Sequence, residues 1–312
     1  MARVKTYPTL YHYTSLESAV AILESGALRL YRSTAMSDPL EVKLGIDVFV
    51  DVLIEALNNT KLRKPKAKLG SLLLNTHQVF NLRGDARFTP ELRIKMGMPA
   101  ETAKLTHFID TYGGLDADRV RAVYVTCFTE ERDAISQWRL YGGNGSGVAL
   151  GFNFADGMTI ERNDKKYVPI RVGKVSYDVA KVKKRQEKII DGLLSGDGNI
   201  WAAAEKCYRD AVLLKQADYS HEKEWRVYMY AKALKHSPRV SISQGRVRPF
   251  VEITNFDKKK DGTLPLREII TGPLSAFDGE GDENWKMFVA AKSSVDAESE
   301  IRLSKSAKDF RH

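Results

Sequence analysis

Leu10-Tyr11-His12-Tyr13-Thr14-Ser15-Leu16-Glu17, running on to Gly26 and Leu28-Arg29-Leu30-Tyr31, is the stretch whose reading decides the fold. Tyr11-His12-Tyr13 reads as the end of a strand. Thr14-Ser15-Leu16-Glu17 has the form of a capping box, in which the Thr14 hydroxyl and Glu17 carboxylate satisfy each other's orphan N–H groups at a helix start. Leu16, Ala19, Val20 and Leu23 then recur at helical spacing. Gly26 supplies the left-handed residue that ends the helix, and Leu28 to Tyr31 alternates as a second strand. The order is strand, helix, strand. It sets His12 just before a helix N-terminus, where free N–H groups and the dipole favour an anionic ligand.

Outward from that unit, Asp38-Pro39-Leu40-Glu41 combines an N-cap, proline at the first helical position and Glu in the first turn. It predicts a helix whose apolar face is Leu40, Leu44, Val48, Val52 and Ala56, ending near Asn58. Residues 58–118 are Lys-rich and punctuated by Gly and Pro, with one helix expected from Leu72 to Phe80. They read as an insertion or helical subdomain within a single α+β domain spanning residues 1–312. Val120 to Thr129 reads as a buried strand, followed by a short helix carrying Ser136, Gln137, Trp138 and Tyr141. Gly142-Gly143-Asn144-Gly145-Ser146-Gly147 lacks the Lys-Ser/Thr of a P-loop and precedes a strand, Val148 to Phe152, so it reads as a hairpin or mobile loop.

A strand near Tyr167 to Tyr177 and helices over Val179–Leu194 and Ile200–Ala217 lead to a second conspicuous stretch, Glu222-Lys223-Glu224-Trp225-Arg226-Val227-Tyr228-Met229-Tyr230. Strict alternation puts Glu222, Glu224, Arg226 and Tyr228 on one face and Trp225, Val227 and Met229 on the other, a strand with one polar face. Strands at Val247–Ile253, Leu266–Thr271 and Glu300–Leu303 and a helix at Trp285–Ala291 complete the pattern. The expected fold is α+β, a central mixed or split antiparallel sheet with flanking helices.

Composition narrows the function. The chain has 312 residues, 43% hydrophobic and 29% charged, with a net charge of +9. That surplus favours an anionic partner, whether nucleic acid, a dinucleotide or an acidic protein face. The basic clusters at Lys61–Lys68, Lys181–Lys188 and Lys258–Lys260 are not interleaved with aromatics as single-strand stacking requires, and read as solvated faces. Apolar runs fall far short of the roughly 20 residues that cross a bilayer, and Met1 to Pro8 contains no signal-peptide core, so a cytoplasmic protein without a membrane segment is expected. Cys127 and Cys207 stand alone, and the six histidines lack metal-ligand spacing, so buried thiols and no metal are expected.

Taken together, Leu10–Ser15, Met36–Glu41, Thr126-Cys127-Phe128-Thr129, Trp138 with Tyr141, Gly147–Phe152, His221–Arg226 and Ile269-Ile270-Thr271-Gly272-Pro273 resemble the ordered motifs of the bacterial domain-of-unknown-function family 2971. More distantly, a His on the first strand and a late Glu-x-Glu strand resemble an ADP-ribosyltransferase. That resemblance implies an ADP-ribosyltransferase-like fold and NAD as substrate, with modification of nucleic acid or protein in a phage-defence or toxin setting. It implies Glu224 as the catalytic carboxylate and Glu222 as the group orienting the acceptor. His12 would hold the adenosine-side ribose, beside Tyr13 and Thr14. Arg226, Arg29 or Arg32 would meet the diphosphate, and Tyr31, Trp138 or Tyr141 would stack on nicotinamide. The middle strand has no Ser-Thr-Ser, only Thr126 and Thr129 around Cys127. The competing expectation is a non-catalytic module that binds nucleic acid or a nucleotide through its basic surface. A metal-free hydrolase using His12 and Glu224 as acid and base lacks an evident nucleophile.

Overall fold

The computed structural model of the protein describes residues 7–36, 42–59, 68–73, 76, 86–95, 103, 123–154, 159–161, 167–195, 199–230, 239–243, 245–253, 264–275, 280–293, 301–308 and 310. Strands β1 (Leu10–Thr14), β2 (Leu28–Arg32), β3 (Val123–Thr129), β4 (Val148–Phe152), β7 (Arg171–Lys174), β8 (Glu224–Tyr230), β9 (Arg239–Ser243), β10 (Arg246–Ile253), β11 (Leu266–Thr271) and β12 (Arg302–Lys305) form one ten-stranded sheet. β5 (Thr159–Glu161) and β6 (Tyr167–Pro169) pair separately. The helices are α1 (Leu16–Ser25), α2 (Lys43–Asn59), α3 (Pro90–Lys95), α4 (Ile135–Leu140), α5 (Val179–Ser195), α6 (Ile200–Val212) and α7 (Glu280–Ser293). The fold is α+β, and the sheet is mixed because β11 and β12 run parallel while the other pairs are antiparallel.

β3 is the hub. One of its edges is filled by β8 along the full length, from Val123↔Tyr230 to Thr129↔Glu224. The other edge is shared end to end by two strands. β1 pairs there only at Tyr11↔Thr129, and β2 only at Tyr31↔Val125 and Arg32↔Tyr124. Between those registers, Thr126 to Phe128 meets neither strand, and the sheet is split.

The two sheet faces are covered by different helices. Tyr124, Phe128, Val227 and Met229 pack with Ala19 and Leu23 of α1 and Trp285 and Val289 of α7. On the opposite face, Val123, Val125 and Tyr228 meet Val42 and Val212, and Tyr11 and Tyr13 meet Trp138 of α4. A second core joins α2, α5 and α6 with Leu69, Leu72, Leu73, Phe88 and Leu92, the described part of the segment read as an insertion.

Several expectations change. The α1 cap is Ser15, whose hydroxyl accepts from the Ser18 N–H at 3.3 Å. Thr14 stays in the β1–β4 ladder opposite Val148, which moves the helix start one residue later. On α2 the buried side is Phe49, Val50, Val52, Leu53 and Leu57, so among the described residues of the predicted apolar face Val52 is buried and Leu44, Val48 and Ala56 are half-buried; the proposed start at Asp38, with Leu40, lies outside the described residues. The β8 strand has no exposed polar face: Glu224, Arg226 and Tyr228 are 3%, 0% and 1% exposed, because helices cover that side. The glycine run is not a hairpin. It is a 3₁₀ turn between α4 and β4, tied to the chain after β11 by Gly272 N–H donating to Gly147 O and Leu274 N–H to Gly145 O, both at 2.9 Å. The edge strand β9, Arg239-Val240-Ser241-Ile242-Ser243, is not among the expected strands, although it alternates polar and apolar residues.

Candidate functional site

A cavity of about 470 Å³ opens at the split in the sheet. Its wall takes Tyr11 to Thr14 from β1, Arg29 and Tyr31 from β2, and Val125 to Phe128 from β3. Glu17, Ser18, Ala21, Ile22 and Ser25, one stripe of α1, close one side. Gln137, Tyr141, Lys215, Glu222 and Glu224 close the other, and Arg248 of β10 lines the cavity beyond β2. Because α1 covers one face of the sheet and α4 the other, the cavity passes through the split. His12 and the late glutamates therefore line one space, as their places in the sequence suggested they could.

His12 sits at the split for a physical reason. Val125 pairs with β2 and Thr129 with β1, while Cys127 between them meets neither. The imidazole takes the missing strand's part: His12 Nδ1 lies 3.0 Å from the Cys127 carbonyl oxygen. A carbonyl can only accept, so Nδ1 carries the proton. Burial lowers the His12 pKa from its usual 6.5, although the bond to Cys127 pulls the other way. The ring is thus neutral near pH 7, with Nε2 left as an acceptor.

Across the cavity is a buried charge network. Lys215, which sequence reading missed, donates to Glu222 Oε2 at 2.7 Å and to Glu224 Oε2 at 2.9 Å. Arg226 Nε donates to Glu224 Oε1 at 2.7 Å, and the guanidinium also reaches the Val212 carbonyl. Tyr141 OH donates to Glu222 Oε1 at 3.0 Å, and the Thr129 hydroxyl to the Glu222 carbonyl at 2.8 Å. Burial works to raise the Glu224 pKa, but Arg226 and Lys215 outweigh it and hold the carboxyl below its ordinary value. Glu222 is not on β8. It ends a 3₁₀ turn, and Lys223 follows at φ 45, which rotates the chain into the strand. The carboxylates still meet, through Lys215 rather than by alternation.

Other residues singled out in the sequence are placed differently. Trp138 is fully buried; its Nε1 donates to Asp133 Oδ1 at 2.7 Å and its ring packs edge-on against Tyr13. It holds β1 against α4 and is not part of the cavity wall. Arg226 stands behind Glu224 and Arg32 pairs with Tyr124 in the β2–β3 ladder, and neither lines the cavity. Tyr13 and Thr14 line it, but the Tyr13 hydroxyl is engaged, donating to the Glu131 carbonyl and accepting from the Ala134 N–H. Tyr31 and Tyr141 remain as aromatics in the wall. Cys127 is half-buried in the wall and Cys207 is buried in the helical core, and the two form no disulfide.

Lys215 lies in Leu213-Leu214-Lys215-Gln216, a lone cation after an apolar run, and that isolation is the one sequence signal for it. Among the described residues no group of three or more His, Cys, Asp or Glu side chains is placed to hold a metal ion. No described helix is long and apolar enough to cross a membrane.

The comparisons with known proteins cover part of this geometry. Residues 137–227 match a family. It is described as a protein of unknown function (DUF2971). The matched segment runs from Gln137 through Lys215, Glu222, Glu224 and Arg226, and so contains the whole charge network on one side of the cavity. No curated protein and no solved structure matches the chain.

Proposed function

We propose that the cavity binds NAD as substrate and that the protein transfers ADP-ribose from it to an acceptor on nucleic acid or protein. The observation that carries this reading is the convergence of His12, from the first strand, Glu224, from the late strand, and Glu222, from the 3₁₀ turn before it, on one cavity at a split in the sheet. Its volume, about 470 Å³, falls within the roughly 300–1,000 Å³ of small-molecule pockets.

Each residue has a role that follows from its bonding. Neutral His12, its Nδ1–H fixed on Cys127, offers Nε2 as an acceptor for a ribose hydroxyl. Tyr31 and Tyr141 offer aromatic surface to a ring. The carboxylates supply fixed negative charge where positive charge develops as the bond from ribose C1 to the nicotinamide nitrogen breaks. The electron pair of that bond leaves with nicotinamide, the acceptor's lone pair forms the new bond to C1, and the acceptor's proton passes to a carboxylate. Glu224 has both oxygens on cations, whereas Glu222 Oε1 meets a neutral phenol, so Glu222 keeps the less neutralised charge.

Label transfer from NAD, radioactive in the adenylate, to nucleic acid and to protein tests the reading. Glu222→Gln and Glu224→Gln are each expected to slow transfer by about 10²–10³-fold, the usual worth of one preorganised electrostatic group. Glu224→Gln also leaves Arg226 buried beside a neutral amide, so Glu222→Gln is the variant that separates chemistry from folding. Undiminished transfer by folded Glu222→Gln would remove it from the reaction, and absence of transfer by the unmodified protein to every acceptor would favour a binding module. That second reading draws on the net charge of +9, and predicts nucleic-acid affinity that falls steeply with salt and no consumption of NAD.

A further inference from the structure

The cavity is bipolar. At the end formed by Glu222 and Glu224, the wall carries those two carboxylates with Lys215 between them. On the other side of β3 from β8, it is lined by Arg29 of β2 and Arg248 of β10. These two side chains share a sheet face with Tyr31 and Phe250, since Phe250 pairs with Tyr31 and Glu252 with Arg29.

Arg29 is oriented, and its charge is only partly answered. Its Nε donates to Glu252 Oε1 at 3.2 Å and its guanidinium lies 4.6 Å from the Phe250 ring centroid. Glu252 is shared with Arg239, so one carboxylate serves two guanidiniums there. Arg248 adds a third cation. Its Nε is buried and has no hydrogen-bond partner among the described residues. A buried N–H without a partner is costly, more so on a charged group, and a cationic N–H in a cavity wall is satisfied best by an anionic oxygen. Glu17 of α1 also lines the cavity.

We infer that Arg248, together with Arg29, forms an anion subsite in this cavity for the diphosphate of a dinucleotide. The subsite fixes which way round the ligand lies. The phosphates take the β2–β10 end, where guanidiniums are in surplus, and the nicotinamide takes the Glu222–Glu224 end, where Glu222 keeps the less neutralised charge. This rests on the NAD reading above and adds a phosphate ligand, Arg248, that no sequence motif marked. Arg226 and Arg32, which the sequence offered for that role, stand outside the wall.

The test uses the full chain and titrates ADP, then adenosine, by calorimetry at low salt, with folding of each variant checked by circular dichroism. Arg248→Ala is expected to weaken ADP at least about tenfold, roughly 1.4 kcal/mol, while leaving adenosine unchanged. Arg248→Lys keeps the charge but not the fork, and should recover part of the loss. Equal ADP affinity in the unmodified protein and Arg248→Ala, or no ADP binding by the unmodified protein, overturns the subsite. The two claims fail separately. Arg248-dependent ADP binding without release of nicotinamide from NAD retains the subsite and sinks the transfer reaction. Glu222-dependent transfer with an unchanged KM for NAD in Arg248→Ala does the reverse.

Discussion

Removing the Lys215 ammonium tests the charge network at its centre. In Lys215→Met the stem is replaced by a side chain of similar length, so the loss is mainly electrostatic. Lys215, Glu222 and Glu224 have side chains only 6%, 7% and 3% exposed, so solvent screening is weak. Two charge-assisted hydrogen bonds disappear, each worth about 1.5–3 kcal/mol. Breaking a buried ion pair from one side costs roughly 3–5 kcal/mol. Glu224 keeps Arg226 and Glu222 keeps Tyr141, which places the expected loss at the low end, about 3 kcal/mol near pH 8. Without Lys215, Glu224 keeps only Arg226 to hold its carboxyl below its ordinary value, so the difference from the unmodified protein should shrink as pH is lowered below 4.5. Guanidinium denaturation followed by tryptophan fluorescence at pH 8 and at pH 4 measures both quantities. The double variant Lys215→Met/Glu222→Gln should be less unstable than the sum of its parts, since the amide no longer needs a cation. A loss below about 0.5 kcal/mol, the range of an exposed pair, or a loss independent of pH, would refute the buried-network argument.

Three further outcomes follow from the same geometry. Gly147→Ala puts a Cβ 2.2 Å from the Thr14 carbonyl oxygen, so it should lower stability by at least about 1–3 kcal/mol, read by thermal melting; an unchanged melt would contradict the close packing of the glycine turn on β1. Trp138→Phe loses the bond to Asp133 and part of the contact with Tyr13, and should cost about 1–3 kcal/mol in denaturant while leaving NAD affinity unchanged; a large change in affinity would return Trp138 to the binding wall. Because the folded His12 pKa lies below 6.5, the unfolded chain protonates first, and stability should be flat above pH 6.5 and fall as pH drops below it. Glu224, held low, adds a second loss only below its usual 4.5. His12→Gln should abolish the first step alone, as measured by denaturant midpoints across that range.

How much of this was legible in the sequence depends on the kind of signal involved. The opening strand, helix and strand were readable because the apolar spacing of α1 and the Gly26 stop, at φ 59, are local properties. Strands β3, β10 and β11 were readable as branched and aromatic runs. The split in the sheet was not, since it depends on which registers β1 and β2 take on β3, a matter of long-range pairing. The alternation of residues 222–230 suggested a polar, half-exposed face. That reading missed the helices that bury it, and so missed that Glu222 and Glu224 needed a cation from elsewhere in the chain. Lys215 comes from a loop after α6, and its place directly after an apolar run is the one local sign that sets it apart from a solvated lysine. Arg248 is similarly hidden, one arginine among three in Arg246-Val247-Arg248 and Arg239.

The measurement that bears most directly on the central claim is calorimetric titration of NAD into the unmodified protein and into His12→Ala, at low salt and neutral pH. The cavity reading predicts saturable one-to-one binding that weakens about tenfold or more, roughly 1.4 kcal/mol, when the imidazole acceptor is removed. Absence of binding to the folded, unmodified protein, or the same affinity without His12, would contradict it.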